Sequence, residues 1–172
     1  QECVRTVVAG QIYPEMIDVR AESRASKPYK LERGVPVCAY FDLGSGANLA
    51  GWLIQKTYRD INVFDWAYGE GKGAAYMAEL IRHWESEHGV QIACVFLPHD
   101  ADISDKGSGK TYRTQLVEAG IPNWRIKVVP KVVRVWDGIA EVAKRIPRMW
   151  FHPRCDVQVE IETADGTSKL PG

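Results

Sequence analysis

No C-x-x-C pair occurs in this 172-residue chain, and its four cysteines, Cys3, Cys38, Cys94 and Cys155, stand far apart. A zinc ribbon needs paired thiolates, so that class is excluded. No apolar run approaches the roughly 20 residues that a helix needs to cross a bilayer. No secretory signal opens the sequence, which makes an intracellular setting the expectation. Internal repeats and low-complexity tracts are also missing, which sets aside solenoids and compositionally biased linkers. Formal net charge is zero, which on its face argues against a nucleic-acid partner.

What is present is ordinary for a globular domain with a real core: 45% apolar and 26% charged residues. The zero net charge conceals an asymmetry. Residues 106–154 carry eleven Lys or Arg and three Asp or Glu, a balance of +8. Residues 1–105 balance at −5 and residues 155–172 at −3. A basic segment of this kind suits an electrostatic track for phosphates, and equally suits solvated loop and helix faces. Cys38 and Cys94 fall inside apolar runs and read as reduced core thiols.

Two carboxylates carry the strongest chemical signal. Asp42 ends the run Val37-Cys38-Ala39-Tyr40-Phe41, and Asp100 ends Ala93-Cys94-Val95-Phe96-Leu97-Pro98-His99. A carboxylate at the end of a buried strand is costly unless something pairs with it. Mg²⁺ or Mn²⁺ does so well, because hard cations take oxygen ligands. The plainer alternative is a pair of strand-end Asp residues in turns.

Period-two alternation predicts strands ending at Asp42, over 50–55 and over 62–68, joined as a meander. Met77, Leu80, Ile81 and Trp84 recur at helical spacing and predict a helix over 74–88 capped by Gly89. The strand ending at Asp100 follows and should lie parallel to the first. Next come a helix over 112–119, a strand over 125–129, and a helix over 137–145 with Ile139, Val142, Ala143 and Ile146 inward. The segment after Cys155 alternates weakly and then trails into Gly and Pro. The expected organisation is a leader arm over 1–36, a domain over 37–155 and a tail over 156–172. Core packing is the expectation for Trp52, Trp84 and Trp150, with Trp124 and Trp136 on the surface. Asp65 reads as a satisfied partner within its strand. His99 should face away from Asp100, since strand neighbours alternate.

The segment Ser104–Thr111 approaches a phosphate-binding loop, but Ser104 stands where the motif requires Gly, and the approach to it is not a clean strand. A nucleotide-binding reading is therefore the weakest of those considered. A Gly-rich loop bearing Lys106, Lys110 and Arg113 is better read as a clamp on a DNA backbone, extended by Lys131, Arg134, Arg145 and Arg148.

Several stretches occur in a fixed order: Tyr40-Phe41-Asp42-Leu43-Gly44, Phe96-Leu97-Pro98-His99-Asp100-Ala101, Gly107-Ser108-Gly109-Lys110-Thr111-Tyr112-Arg113, Val128-Val129-Pro130, Asp137-Gly138-Ile139 and Met149-Trp150-Phe151. With the leader Gly10-Gln11-Ile12-Tyr13-Pro14-Glu15-Met16, they resemble the C-terminal nuclease domain of the large terminase subunit of tailed bacteriophages, over residues 10 to 155. The resemblance implies an α/β, ribonuclease H-like mixed sheet, an antiparallel meander of three strands followed by parallel strands, flanked by helices. It implies a metal-dependent endonuclease that cuts concatemeric viral DNA with two Mg²⁺ or Mn²⁺ ions, Asp42 bridging both and Asp100 holding one. It also implies double-stranded DNA, a terminase ATPase domain, a small terminase subunit and a portal protein as partners, and the host cytoplasm as the setting.

The chain departs from the family pattern in one place. The helix that usually supplies a third carboxylate has no counterpart here. The candidates within the chain are Asp102, Asp137, Asp156 and Asp165, and none matches the motif. A non-catalytic DNA-binding or motor-docking module with the same fold is therefore the competing reading.

Overall fold

The computed structural model describes Tyr13, residues 30–44, 48–104 and 109–155, and the backbone of 159–163 and 166–170. Strands β1 (Val37–Leu43), β2 (Leu49–Lys56) and β3 (Ile61–Gly69) form an antiparallel meander. Helix α1 (Ala74–His88) then crosses over to β4 (Ile92–Leu97), which lies parallel to β1. Helix α2 (Tyr112–Glu118) leads to β5 (Ile126–Val128), parallel to β4. Helix α3 (Val135–Ala143) leads to β6 (Met149–Phe151), parallel to β3 at the opposite edge. The six-stranded order is β5-β4-β1-β2-β3-β6. This is the mixed sheet expected from the sequence, with β6 as an added edge strand. Strands β7 (Val159–Thr163) and β8 (Gly166–Leu170) pair antiparallel in a separate two-stranded sheet. Among the described residues no helix is long and apolar enough to cross a membrane.

The core lies on one face of the sheet. Val37, Ala39 and Phe41 of β1, Leu49 and Leu53 of β2, and Val95 and Leu97 of β4 are buried there, as period-two alternation requires. Helix α1 covers them with Met77, Ala78, Ile81 and Trp84, one stripe at helical spacing. Phe41 stacks on Trp84 with ring centroids 5.9 Å apart. Gly51 makes this contact possible: a Cβ there would stand 2.6 Å from Phe41 and 3.2 Å from Trp84. Helix α1 ends at Gly89, whose φ of 61° is left-handed, and its N–H is donated to the Glu85 carbonyl. Helix α2 joins this layer through buried Leu116. Arg125 is 5% exposed and ion-paired with Glu85, which also accepts the Ile92 N–H at 2.9 Å.

Gln55 of β2 is fully buried and makes three long-range bonds. Its amide nitrogen donates to the Glu32 and Val35 carbonyls at 2.9 Å, and its oxygen accepts the Glu32 N–H at 2.9 Å. The segment before β1 is thereby fastened to the sheet.

The other face is covered loosely. Tyr40 and Phe96 stack across the β1–β4 pair at 4.7 Å, and Trp52 is 38% exposed. The expectation that Trp52 packs in the core is corrected: β2 is apolar on both faces, and Trp52 points to the face away from α1. Helix α3 lies against this face across a cavity of about 360 Å³, lined by Tyr40, Ile54, Lys56, Ile61, Val142, Arg145 and Met149. No residue of α3 is buried, and Trp136 is 76% exposed. Val142 does face the sheet across that cavity but stays 40% exposed, and the helix starts and ends two residues earlier than expected. Ile146, just beyond it, is buried as foreseen.

Candidate functional site

Strand β1 delivers Asp42 to its exposed C-terminal end. Alternation puts Asp42 on the face of Cys38 and Tyr40, opposite the core, and its backbone pairs with Ala50 of β2. The chain turns at once, with the Gly44 N–H donated to the Asn48 carbonyl at 2.8 Å.

Strand β4 is the parallel neighbour of β1, in register from Cys38 with Cys94 to Tyr40 with Phe96. It ends at Leu97, not at Asp100. Pro98 has no N–H to extend the ladder, so the chain leaves the sheet and winds into a 3₁₀ turn, His99–Asp102. This corrects the reading of Asp100 as a strand residue, and it removes the strand-alternation argument about His99. Both residues project from the turn, His99 exposed and Asp100 half-buried. Ala101 is fully buried and pins the turn to the core.

One oxygen of Asp100, Oδ1, is buried with no hydrogen-bond partner. A buried carboxylate oxygen left unpaired is costly unless a cation or proton meets it. A hard divalent ion ligated by Asp100 and by Asp42 from the neighbouring strand end fits that oxygen chemistry. Among the described residues no group of three His, Cys, Asp or Glu is gathered to hold an ion. Asp102 is engaged elsewhere: Arg113 Nε donates to its Oδ1 at 2.7 Å and Nη2 to its Oδ2 at 3.3 Å. That hydrogen bond holds the Asp102 carboxyl below its ordinary pKa and raises the Arg113 guanidinium. Asp137 sits exposed in the first turn of α3. Asp156 and Asp165 lie outside the residues whose side chains are described.

The basic residues divide into two groups. Lys110 is paired with both oxygens of Glu118 at 2.7 and 2.8 Å, and Arg113 with Asp102. Thr111 caps α2, its hydroxyl accepting the Thr114 N–H at 3.1 Å. Arg148 is turned onto the Tyr58 and Arg59 carbonyls. Lys131 and Arg134 are exposed ahead of α3. Lys106 lies outside the described residues.

Sequence reasoning foresaw neither the Asp102–Arg113 bridge nor the Glu85–Arg125 pair. Their partners are separated by 11 and 40 positions, beyond the reach of local pattern. Asp65 of β3 is well partnered, accepting the Trp66 N–H at 2.8 Å and pairing with His88 at 3.0 Å. Arg154 stands 3.9 Å from it and bonds Glu87 at 2.8 Å. Nearby, burial and then the charge of Asp65 push the Cys155 thiol up to about 12.

No protein-family model matches the sequence, and no curated protein matches it. Solved structures do. The P22 large terminase nuclease domain superposes with a TM-score of 0.57 at 18% identity, over 86% of this chain and 74% of that one. The large terminase of a thermophilic bacteriophage gives 0.54 at 15% identity, over 87% of this chain and 39% of its own length. The same terminase in complex with ADP gives 0.55 at 17% identity, over 78% and 32%. At these identities the likeness concerns the fold. The six strands, in this order and with these directions, have the ribonuclease H-like architecture of phage large-terminase nuclease domains.

Proposed function

We propose that this chain is the DNA-cutting module of a phage packaging terminase, a metal-dependent endonuclease acting on double-stranded concatemeric DNA. The observation that carries the reading is the unpartnered, buried Oδ1 of Asp100 beside the parallel strand end that bears Asp42. Asp42 and Asp100 would hold Mg²⁺ or Mn²⁺. When bound, such ions lower the pKa of a water nucleophile and offset charge on the transferring phosphoryl group. The chain's own contribution is to fix the two carboxylates on rigid elements, one on a strand end and one on a turn pinned by Ala101. Two carboxylates serve one ion readily. A second ion would draw on substrate phosphate oxygens and on a further acid, for which Asp137, Asp156 and Asp165 are the open candidates. Lys131 and Arg134 are the exposed cations best placed in the basic segment to follow a phosphate backbone, with Lys106 and Lys110 flanking the Gly-rich loop.

In this reading residues 37–155 form the nuclease domain, 1–36 an arm towards an ATPase domain, and 156–172 a tail. The setting is the host cytoplasm, with the small terminase subunit and portal protein as assembly partners.

One observation favours a second reading, a non-catalytic DNA-binding or motor-docking module: no third acid is gathered among the described residues. Plasmid cleavage with Mn²⁺ separates the two. The nuclease reading expects nicked and linear product with Mn²⁺, none with EDTA, and none from Asp42→Asn. Plasmid that stays supercoiled with Mn²⁺, while still shifted on a gel by the protein, supports the second reading instead.

A further inference from the structure

We propose that Arg113 is a positioning residue for Asp100, acting through Asp102, and not a contact to DNA phosphate. The inference rests on Asp100 being a metal ligand, as proposed above.

The argument starts from the 3₁₀ turn. With three residues per turn, Asp100, Ala101 and Asp102 project in three directions about 120° apart. Two of those directions are fixed. Ala101 is fully buried in the core. Asp102 meets Arg113 in a two-pronged fork, at 2.7 and 3.3 Å. A planar guanidinium on a carboxylate sets orientation as well as distance. With two projections held, the third, Asp100, is set by geometry. The turn is closed internally by Ala101 N–H to the Pro98 carbonyl and Ile103 N–H to the Asp100 carbonyl, at 3.1 and 2.9 Å.

Arg113 also ties the turn to its surroundings. It stands in the first turn of α2, and its Nη1 reaches Asn123 Oδ1 at 3.5 Å. Asn123 opens the short 3₁₀ segment that enters β5, and β5 pairs with β4. One side chain thus links three segments around the end of β4. Three of its five N–H donors are used within the protein, and its charge is matched by Asp102.

The signs of the mutational effects separate positioning from alternatives. Removing a nearby positive charge should by electrostatics alone tighten cation binding; loss of positioning should weaken it. Four variants are compared with the parent chain: Arg113→Ala, Arg113→Lys, Asp102→Ala and the double Ala variant. Mn²⁺ is titrated by calorimetry without DNA, plasmid cleavage is resolved into kcat and KM, and DNA affinity is measured against salt. Positioning predicts that Arg113→Ala and Arg113→Lys both weaken Mn²⁺ by about 10-fold or more, the range typical of residues that orient a ligand. Asp102→Ala should do the same, and the double variant no worse than either single one, because one linkage is broken in all three. It also predicts a lower kcat at unchanged KM and an unchanged salt slope.

Tighter Mn²⁺ binding by Arg113→Ala, full function of Arg113→Lys, or a salt slope lowered by about 0.9 each overturns the proposal. A parent chain that binds Mn²⁺ but does not cut sinks the nuclease reading alone, and the titration still decides the role of Arg113. A parent chain that binds no Mn²⁺ overturns both.

Discussion

The two faces of the central sheet are built to different standards. Towards α1, side chains from β1, β2 and β4 interlock with one apolar stripe, and even a glycine is dictated by the approach of Phe41 and Trp84. On the opposite face an aromatic stack is half covered, a helix without a buried residue stands off across a cavity, and Asp42 reaches solvent. The tight face supplies stability. The loose face can place a charge at a strand end, because no close-packed layer there would have to desolvate it.

The largest effect that would test this division is functional. Asp42→Asn keeps the volume and removes the charge, and cleavage should fall by about 10³-fold or more, as for loss of a group acting on the transition state. The melting temperature should stay unchanged. A drop in both would mean that Asp42 belongs to the packed structure and that the faces are not separable.

On the tight side, Glu85→Ala leaves Arg125 buried and without its partner. Stability should fall by about 3 kcal/mol, the lower end of the range for breaking a buried pair, read from chemical denaturation. A loss below about 1 kcal/mol would show that this pair behaves as a surface contact. Gly51→Ala forces a methyl group against Phe41 and should cost about 1–3 kcal/mol. At the bottom of the scale, Trp136→Ser on α3 should change stability by no more than about 0.5 kcal/mol, as for exposed positions generally. A larger loss would place α3 among the elements that hold the domain together.

These contrasts also mark what the sequence could disclose. Helix α1 was legible to the residue, because its stripe faces a layer that must be filled and Gly89 marks its end. The meander was legible in β1 and β2, which alternate, whereas β3 buries Asn62, Val63 and Phe64 in succession. Asp100 was misplaced by following the apolar run through Pro98, although a residue that cannot donate an N–H signals the end of a ladder. Strand β6 has three residues, too few for a period to register. For α3 and Trp52, periodicity tells which side chains share a face but not whether anything covers that face. Of the two acids proposed as ligands, Asp42 was legible at its strand end, and Asp100 as an acid but not as a turn residue. The employment of Asp102 and Arg113 was not, since composition counts charges and cannot see them pair across a fold.

Gln55 has a mechanical consequence. Its three bonds reach residues 32 and 35 from β2, one of the two central strands of the six. A pull applied to the chain ahead of residue 32 would therefore be delivered to the middle of the sheet, where load spreads to strands on both sides, and not to an edge that could be peeled away. Force entering from that end would move the sheet, and the strand end that carries Asp42, as one body.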